Sequence, residues 1–274
     1  MIFVTKVDGR KQVFEKSKIY KTCVRMGATP EQAEQIAEKI ASEVYDGIST
    51  KRILNMIFSY MKIFKPEFKY KIDLREAISM LRPKPDFETF VAQLLKSEGY
   101  EVRQNVILSG ECVEHEIDVI ATKGNEIVYV EVKHHLNPHA YTGLDVFLEA
   151  YSAFLDLKDG YKTGKNKINF NKVLVVCNTK ISDHAKKYSE CRGIMHIGWK
   201  YPVENGLERM IEERKLYPIT ILKGVDQKTR NKLCDAGIVT LKQLLENDVK
   251  EMQRKTNIEK NKLNLLISKA REVI

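Results

Sequence analysis

Long apolar runs are missing from this sequence. The longest, Val173-Leu174-Val175-Val176-Cys177, falls far short of the roughly 20 residues that a membrane-spanning helix needs. The opening residues, MIFVTKVDGRK, hold no apolar segment of the kind a secretion signal carries, so no export is expected. Cysteine is scarce and scattered: Cys23, Cys112, Cys177, Cys191 and Cys234 include no Cys-x-x-Cys pair. That argues against a disulfide framework or a zinc site and for a reducing cytoplasm. With 14 glycines, 7 prolines and 43% apolar residues, the chain does not have the composition of a disordered protein. Its 274 residues leave room for two or three domains. What it has in excess is positive charge, 46 Lys and Arg against 37 Asp and Glu, which points to phosphate-bearing partners.

Three segments read differently. Residues 1–85 begin with an alternating stretch, Ile2 to Val7, then the turn pair Asp8-Gly9 and a short return strand through Val13-Phe14. Helical spacing follows in Ile19, Cys23 and Met26, then in Ala33, Ile36, Ala37, Ile40 and Val44, with Thr29 as N-cap and Pro30 in the first turn. Two more helices are predicted over 50–64 and 66–81. Arg82-Pro83-Lys84-Pro85 reads as a stiff boundary, because two prolines in three residues stop a helix. Beyond it the pattern predicts a helix over 86–97, strands over 100–108, 116–121 and 126–133, and a helix over 144–157. A fully apolar strand at 172–177, a helix at 184–191 and a short strand at 194–197 complete an α/β domain with a mixed sheet. Residues 217–274 are purely helical in pattern. The expected domains are 1–85, 86–216 and 217–274.

The most informative phrase is HEIDVIATKGNEIVYVEVKHH, residues 115–135. Asp118 precedes the turn Thr122-Lys123-Gly124-Asn125, and Glu131 and Lys133 follow it. Side chains two apart on a strand share a face, so Glu131 and Lys133 project together and the hairpin can set Asp118 beside Glu131. Val128, Val130 and Val132 alternate with them and are expected to face the core. Two carboxylates and an ammonium suit a metal-dependent phosphodiesterase: hard oxygen donors fit Mg²⁺ (or Mn²⁺), and a lysine can stabilise the reacting charge. Glu88, on the preceding helix, is the candidate for a further acid. A Glu-x-Lys pair alone could equally be a surface salt bridge of little energetic weight. The conjunction of helix, strand, turn, valine-rich strand and helix favours the nuclease. His134 and His135 follow directly; one is a candidate proton relay and at least one is expected to be a solvated strand-end residue. Gly160 to Asn166 imitates a phosphate loop but is one residue short.

Residues 86–215 resemble the PD-(D/E)xK nuclease superfamily, in particular Mrr-type restriction endonucleases and archaeal Holliday-junction resolvases. Asp118 matches the motif-two acid, and Glu131 and Lys133 match the (D/E)xK pair. The resemblance implies an α/β/α core, with Asp118 and Glu131 as metal ligands, Lys133 and Glu88 in the catalytic set, and action as a homodimer. Residues 1–85 resemble the ATP-cone, the nucleotide-sensing domain of ribonucleotide reductases, through Val4 to Arg10, Phe14 to Ile19 and Ile48-Ser49-Thr50. That likeness implies ATP or dATP as a regulatory ligand, with Lys6, Lys18 and Thr50 at the phosphates and Arg10 nearby. Val7 stands where the cone pattern usually has Arg. Residues 217–274 resemble a helix-hairpin-helix domain, which implies contact with DNA phosphate around Lys223, Gly224, Val225, Lys228 and Arg230. Asp226 is expected to be an N-cap, and Asn257 replaces a hairpin glycine.

Together these features predict a cytoplasmic, metal-dependent DNA endonuclease governed by an adenine nucleotide, with no membrane partner. Two alternatives stand beside it: a nucleotide-responsive DNA-binding regulator with a silent nuclease core, and a structure-specific repair or junction nuclease. The charge divides accordingly. The net formal charge is +7 over residues 1–85, −3 over 86–222 and +5 over 223–274. The carboxylate-bearing centre is thus slightly acidic and the flanks are basic.

Overall fold

The opening hairpin forms as its pattern predicts. β1 (Phe3–Thr5) and β2 (Lys11–Val13) pair antiparallel, and the Gly9 N–H donates to the Lys6 carbonyl across the turn at 2.9 Å. α1 (Lys16–Arg25) buries Ile19 and Cys23. α2 (Pro30–Glu43) starts in a reciprocal capping box between Thr29 and Gln32 and buries Ala33, Ile36, Ala37 and Ile40. β3 (Ile48–Ser49) adds to β1 in parallel, and α3 (Thr50–Phe64) contributes Ile53, Ile57 and Met61 to the same core. The computed structural model describes residues 1–274 and divides into two units, Met1–Lys71 and Ile72–Glu272.

The helix predicted over 66–81 does not form as one piece. Pro66–Lys69 is a 3₁₀ turn, and the Asp73 carboxylate then caps a new helix, α4 (Leu74–Ser79), by accepting the Glu76 N–H at 3.0 Å. The two units part at this break rather than at Arg82-Pro83-Lys84-Pro85. Residues 72–81 belong with the second unit because their polar groups are met there. The Ile72 N–H donates to the Ile221 carbonyl (2.9 Å), and the Thr220 hydroxyl donates to the Ala77 carbonyl (2.6 Å).

Nor does the proline-rich stretch act as a linker. Pro83–Phe87 is a wide helical turn that runs into α5 (Glu88–Ser97), and Lys84 alone within it is extended, at φ −121° and ψ 137°. Arg82 fastens this turn. Its backbone N–H, Nε and Nη2 all donate to the Asp86 carboxylate, at 3.2, 2.8 and 2.7 Å. Nη2 also reaches the carboxylate of Asp235, at 2.6 Å.

The second unit is built on β4 (Glu101–Ser109), β5 (Glu114–Lys123) and β6 (Glu126–Lys133), an antiparallel meander. After the short β7 (Tyr141–Thr142), α6 (Leu144–Lys162) crosses over to β8 (Lys172–Cys177), which lies parallel to β6. β9 (Lys180–Ile181) pairs with β7 outside the main sheet. α7 (Asp183–Arg192) then leads to β10 (Met195–Ile197), parallel to β8, and α8 (Leu207–Arg214). The five-stranded order is β10-β8-β6-β5-β4, so β6 is central. Central strands are covered on both faces. Tyr129, Val173 and Val175 pack with Phe147, Ala150 and Phe154 of α6, while Val128, Val130 and Val132 are buried on the other face. The valine face is buried as its alternation predicts, and the Tyr129 face is covered by α6 as well. Gly160 explains its own presence: a Cβ there would lie 2.6 Å from the Gly110 carbonyl carbon, so α6 approaches β4 only because a glycine stands at the crossing.

The last segment is helical, as its pattern predicts: α9 (Gln227–Asp235), α10 (Leu241–Glu246), α11 (Val249–Thr256) and α12 (Lys260–Val273). No helix in the chain is long and apolar enough to cross a membrane.

Asp86 is only 3% exposed, so removing its partner strands a buried carboxylate. Arg82→Ala is expected to cost about 2–3 kcal/mol. Asp235 is an exposed partner, and Asp235→Ala should cost less than ~1 kcal/mol. Urea unfolding of the two variants checks the contrast; equal costs would show that the buried pair has no special weight.

Candidate functional site

β5 and β6 pair regularly from Lys123 and Glu126 up to Val119 and Val130, and there the ladder stops although both strands continue. The next residue of β5 is Asp118. Its Oδ2 accepts the backbone N–H of Val132 at 2.8 Å, so a carboxylate takes the place of the missing ladder bond. On the other side of β5, pairing with β4 also skips Asp118, opposite Asn105, whose φ is +52°. Asn is among the few residues that tolerate this left-handed backbone. Ile117 and Ile120 both sit in the α6-side core, so strict alternation fails across this point although the β4–β5 register is unchanged. This local break turns an acid into the interior of the sheet at 5% exposure.

Asp118 and Glu131 thus lie on adjacent strands just past the end of their ladder, and Lys133 follows two residues on. The Tyr129 hydroxyl donates to Glu131 Oε2 at 2.8 Å. Burial pushes the Glu131 pKa above its ordinary value, and the neighbouring Asp118 charge adds to the effect. Burial and then the Glu131 carboxylate raise the Tyr129 pKa, so that phenol stays protonated as a donor. Glu88, the candidate further acid, starts α5 and is 2% exposed. Burial, with Asp118 close by, raises its pKa from 4.5 to about 7.

Sequence reasoning missed Lys84. Its ammonium lies 3.4 Å from Glu88, 3.2 Å from Glu116 and 3.3 Å from Asp118. Burial opposes its charge, but Asp118, Glu116 and Glu88 outweigh that and raise its pKa. The only sequence signal was its place four residues before Glu88, on what reads as a linker. Glu131 and Glu116, but not Asp118 or Glu88, line a cavity of about 610 Å³ together with Tyr129, His115, Glu149 and Asp156. The cavity wall is rigid at His115, whose Nε2 lies 2.8 Å from Asp156. That carboxylate also accepts the Cys112 and Val113 N–H groups at 2.8 and 3.3 Å. Asp118 and Glu131 offer hard carboxylate oxygens, which fit a cation that keeps most of its waters and takes one or two carboxylates. No three of the His, Cys, Asp and Glu side chains in the chain converge as a ready metal cage.

His134 and His135 are not solvated strand-end residues. His134 Nε2 lies 3.1 Å from the Ile78 carbonyl, and its ring meets Phe87 edge-on. The His135 N–H donates to Asn178, and its ring contacts the Thr142 hydroxyl at 3.2 Å. Both anchor the loop after β6 instead.

In the first unit, the register Thr5↔Ser49 sets Lys6 and Thr50 at the same end of neighbouring parallel strands. Thr50 opens α3, where Ser49 caps the Arg52 N–H at 3.1 Å. The Arg10 carbonyl accepts the Lys6 N–H, and the Arg10 Nε donates to Asp8 at 2.8 Å. Lys18 lies in the first turns of α1 and pairs with Glu15 at 2.6 Å. No contact between Lys18 and Lys6 or Thr50 is formed.

In the helical segment, Gly224 takes φ +79° between exposed Lys223 and buried Val225. Asp226 caps α9, accepting the Thr229 N–H at 2.9 Å, and pairs with Lys262 at 2.7 Å. Asn257 takes the left-handed conformation (φ +50°) between α11 and α12, and its carbonyl accepts from Lys232 at 2.8 Å. Lys228 is exposed; Arg230 is half-buried, with Nη1 3.5 Å from Met80 Sδ.

Family models match three stretches of the chain. The ATP cone domain matches residues 2–71, the restriction endonuclease (Mrr catalytic) domain residues 82–197, and the AF1548-like C-terminal domain residues 217–274. An uncharacterized protein of Archaeoglobus fulgidus is 38% identical over 184 residues, which are 67% of this chain and 99% of its own. A second uncharacterized protein of that organism is 45% identical over 40 residues, 15% of this chain and 85% of its own. The crystal structure of a protein of unknown function, AF1548, matches with a TM-score of 0.59 and 37% identity, covering 68% of this chain and 95% of the other.

Glu88 supplies a pH signature. Its folded pKa of about 7 lies above its ordinary 4.5, so the native state binds this proton at a higher pH than the unfolded chain does. Its contribution to stability therefore rises as pH falls from about 7 towards 4.5, and is lost again above that window. Glu88→Gln is expected to be stabilising at pH 8, with the gain shrinking as the pH drops through 7. Urea midpoints across that range read it, and a pH-independent difference would contradict the assignment.

Proposed function

The chain belongs to the family of the AF1548-like proteins, and on that premise we propose that it is a divalent-metal-dependent DNA endonuclease whose activity responds to an adenine nucleotide. The observation that carries this reading is the meeting of Asp118 and Glu131 beyond the end of the β5–β6 ladder, with Lys133 on the Glu131 side of the same strand. Asp118 and Glu131 would hold Mg²⁺ or Mn²⁺, which when bound polarises a phosphodiester and makes a nearby water more acidic. Lys133 brings a cation to charge developing on the phosphate. Tyr129 fixes the rotamer of Glu131 through its hydroxyl. Glu88, with its raised pKa, can hold a proton near neutral pH.

The cone supplies the regulatory site in this reading. Lys6 and Thr50 offer an ammonium, a hydroxyl and a helix start at one end of the small sheet, a set suited to a triphosphate, with Lys18 as a further phosphate contact and Arg10 nearby. The C-terminal helices act as a helix-hairpin-helix module. Lys223, Gly224 and the Val225 backbone form its phosphate contact, and Lys228 and Arg230 flank it. Each site would cut one strand, so a homodimer is the working unit for duplex cleavage.

Two experiments test the proposal. Plasmid incubated with Mg²⁺ should be nicked or linearised by the wild type, while Lys133→Ala should be slower by about 10²–10³-fold and Glu131→Ala inactive. If wild type and Glu131→Ala leave supercoiled, branched and methylated substrates equally intact, the nuclease reading fails. In calorimetry, ATP or dATP should bind the whole chain, and Lys6→Ala should weaken binding by about 10–100-fold. The absence of heat with either nucleotide would remove the cone from the regulatory scheme.

A further inference from the structure

Buried carboxylates need compensation, and Glu88 and Asp118, at 2% and 5% exposure, share theirs. The Lys84 ammonium stands between them and also touches Glu116, at 3.2 to 3.4 Å from one oxygen of each. The acids cannot leave. Asp118 is held by the Val132 N–H, and Glu88 lies on a helix whose approach is fastened by Arg82 and Asp86. The lysine can leave. Its side chain is 56% exposed, and it rises from the one extended residue of the Pro83–Phe87 turn on a flexible four-carbon stem.

We infer that Lys84 is a resident counter-cation of the acid cluster, and that a divalent ion gains Asp118 only as the Lys84 ammonium withdraws from it. The inference deepens the nuclease reading and rests on it. It gives the protein a metal site with a built-in competitor. In the metal-free protein Lys84 offsets part of the cluster's negative charge and keeps Asp118 Oδ1 engaged. When the cation is present, the same lysine is released on the cavity side of the cluster, where Glu116 already reaches its ammonium.

The test is calorimetric titration of MnCl₂ into the whole chain, without DNA or turnover. Lys84→Met keeps the stem and removes the charge, and Lys84→Gln repeats the change with a polar head. Each is expected to bind Mn²⁺ about 10–100-fold more tightly than wild type, the range for losing one nearby positive charge at a partly solvated site. Lys84→Arg should restore the wild-type affinity. Melting curves establish that the variants are folded, and if Lys84→Met is not, Lys84→Gln carries the comparison. Asp118→Ala should abolish binding in every background. Wild type and both neutral variants binding Mn²⁺ with equal affinity, or the variants binding it more weakly, would overturn the counter-cation role and leave the nuclease reading intact. No Mn²⁺ binding by any form would instead sink the metal site itself, and the inference with it.

Discussion

One hydrogen bond organises the centre of this protein: the Asp118 carboxylate accepting the Val132 N–H where two strands cease to pair. A sheet cannot end its ladder in the interior without leaving backbone groups unmet. Here a side chain meets one of them, and in doing so an acid becomes a buried structural element. Its burial calls for positive charge, which Lys84 supplies, and its neighbours Glu131 and Glu88 are pushed towards the protonated form. Burial of each of these groups is the larger cause of that push, and the Asp118 charge adds to it.

The same device orders the surrounding elements. Lys84 reaches the acids because the Pro83–Phe87 turn is extended at one residue, and the turn holds that shape because Asp86 is gripped by Arg82. Arg82 also grips Asp235 in α9, so the turn that presents Lys84 is in contact with the C-terminal helices. On the far side of the cavity Asp156 gathers His115 and two backbone N–H groups, which fixes the β4–β5 connection against α6. The cavity is therefore walled by paired groups, and its acids are where charge is concentrated.

Much of this was legible along the chain. Strands 126–133 and 172–177 follow from alternation and from an unbroken apolar run, and both form with those bounds. The Thr29 cap, the Asp226 cap and the left-handed Asn257 follow from local backbone chemistry, which neighbouring residues alone satisfy. That Asp118 lies on one strand and Glu131 and Lys133 on the next was legible because hairpin spacing is a local property. The roles of His134 and His135 were not, since their partners, Ile78, Thr142 and Asn178, come from distant segments. The break at residues 70–73 was hidden for a similar reason: the Ile72 N–H is met by Ile221, far along the chain.

Sequence by itself determined the kinds of segment, the division into a basic cone, an acidic α/β core and a basic helical end, and the three residues of the strand motif. These depend on periodicity, composition and spacing, each of which is read within a few residues. Tertiary structure alone decided that Arg82-Pro83-Lys84-Pro85 lies within the second unit rather than between units, and that Lys84 is the cation of the acid cluster. It also decided that β6 is buried on both faces. Those outcomes depend on which distant groups must share a dry interior, and charges brought together there must be balanced by whatever the fold places within reach.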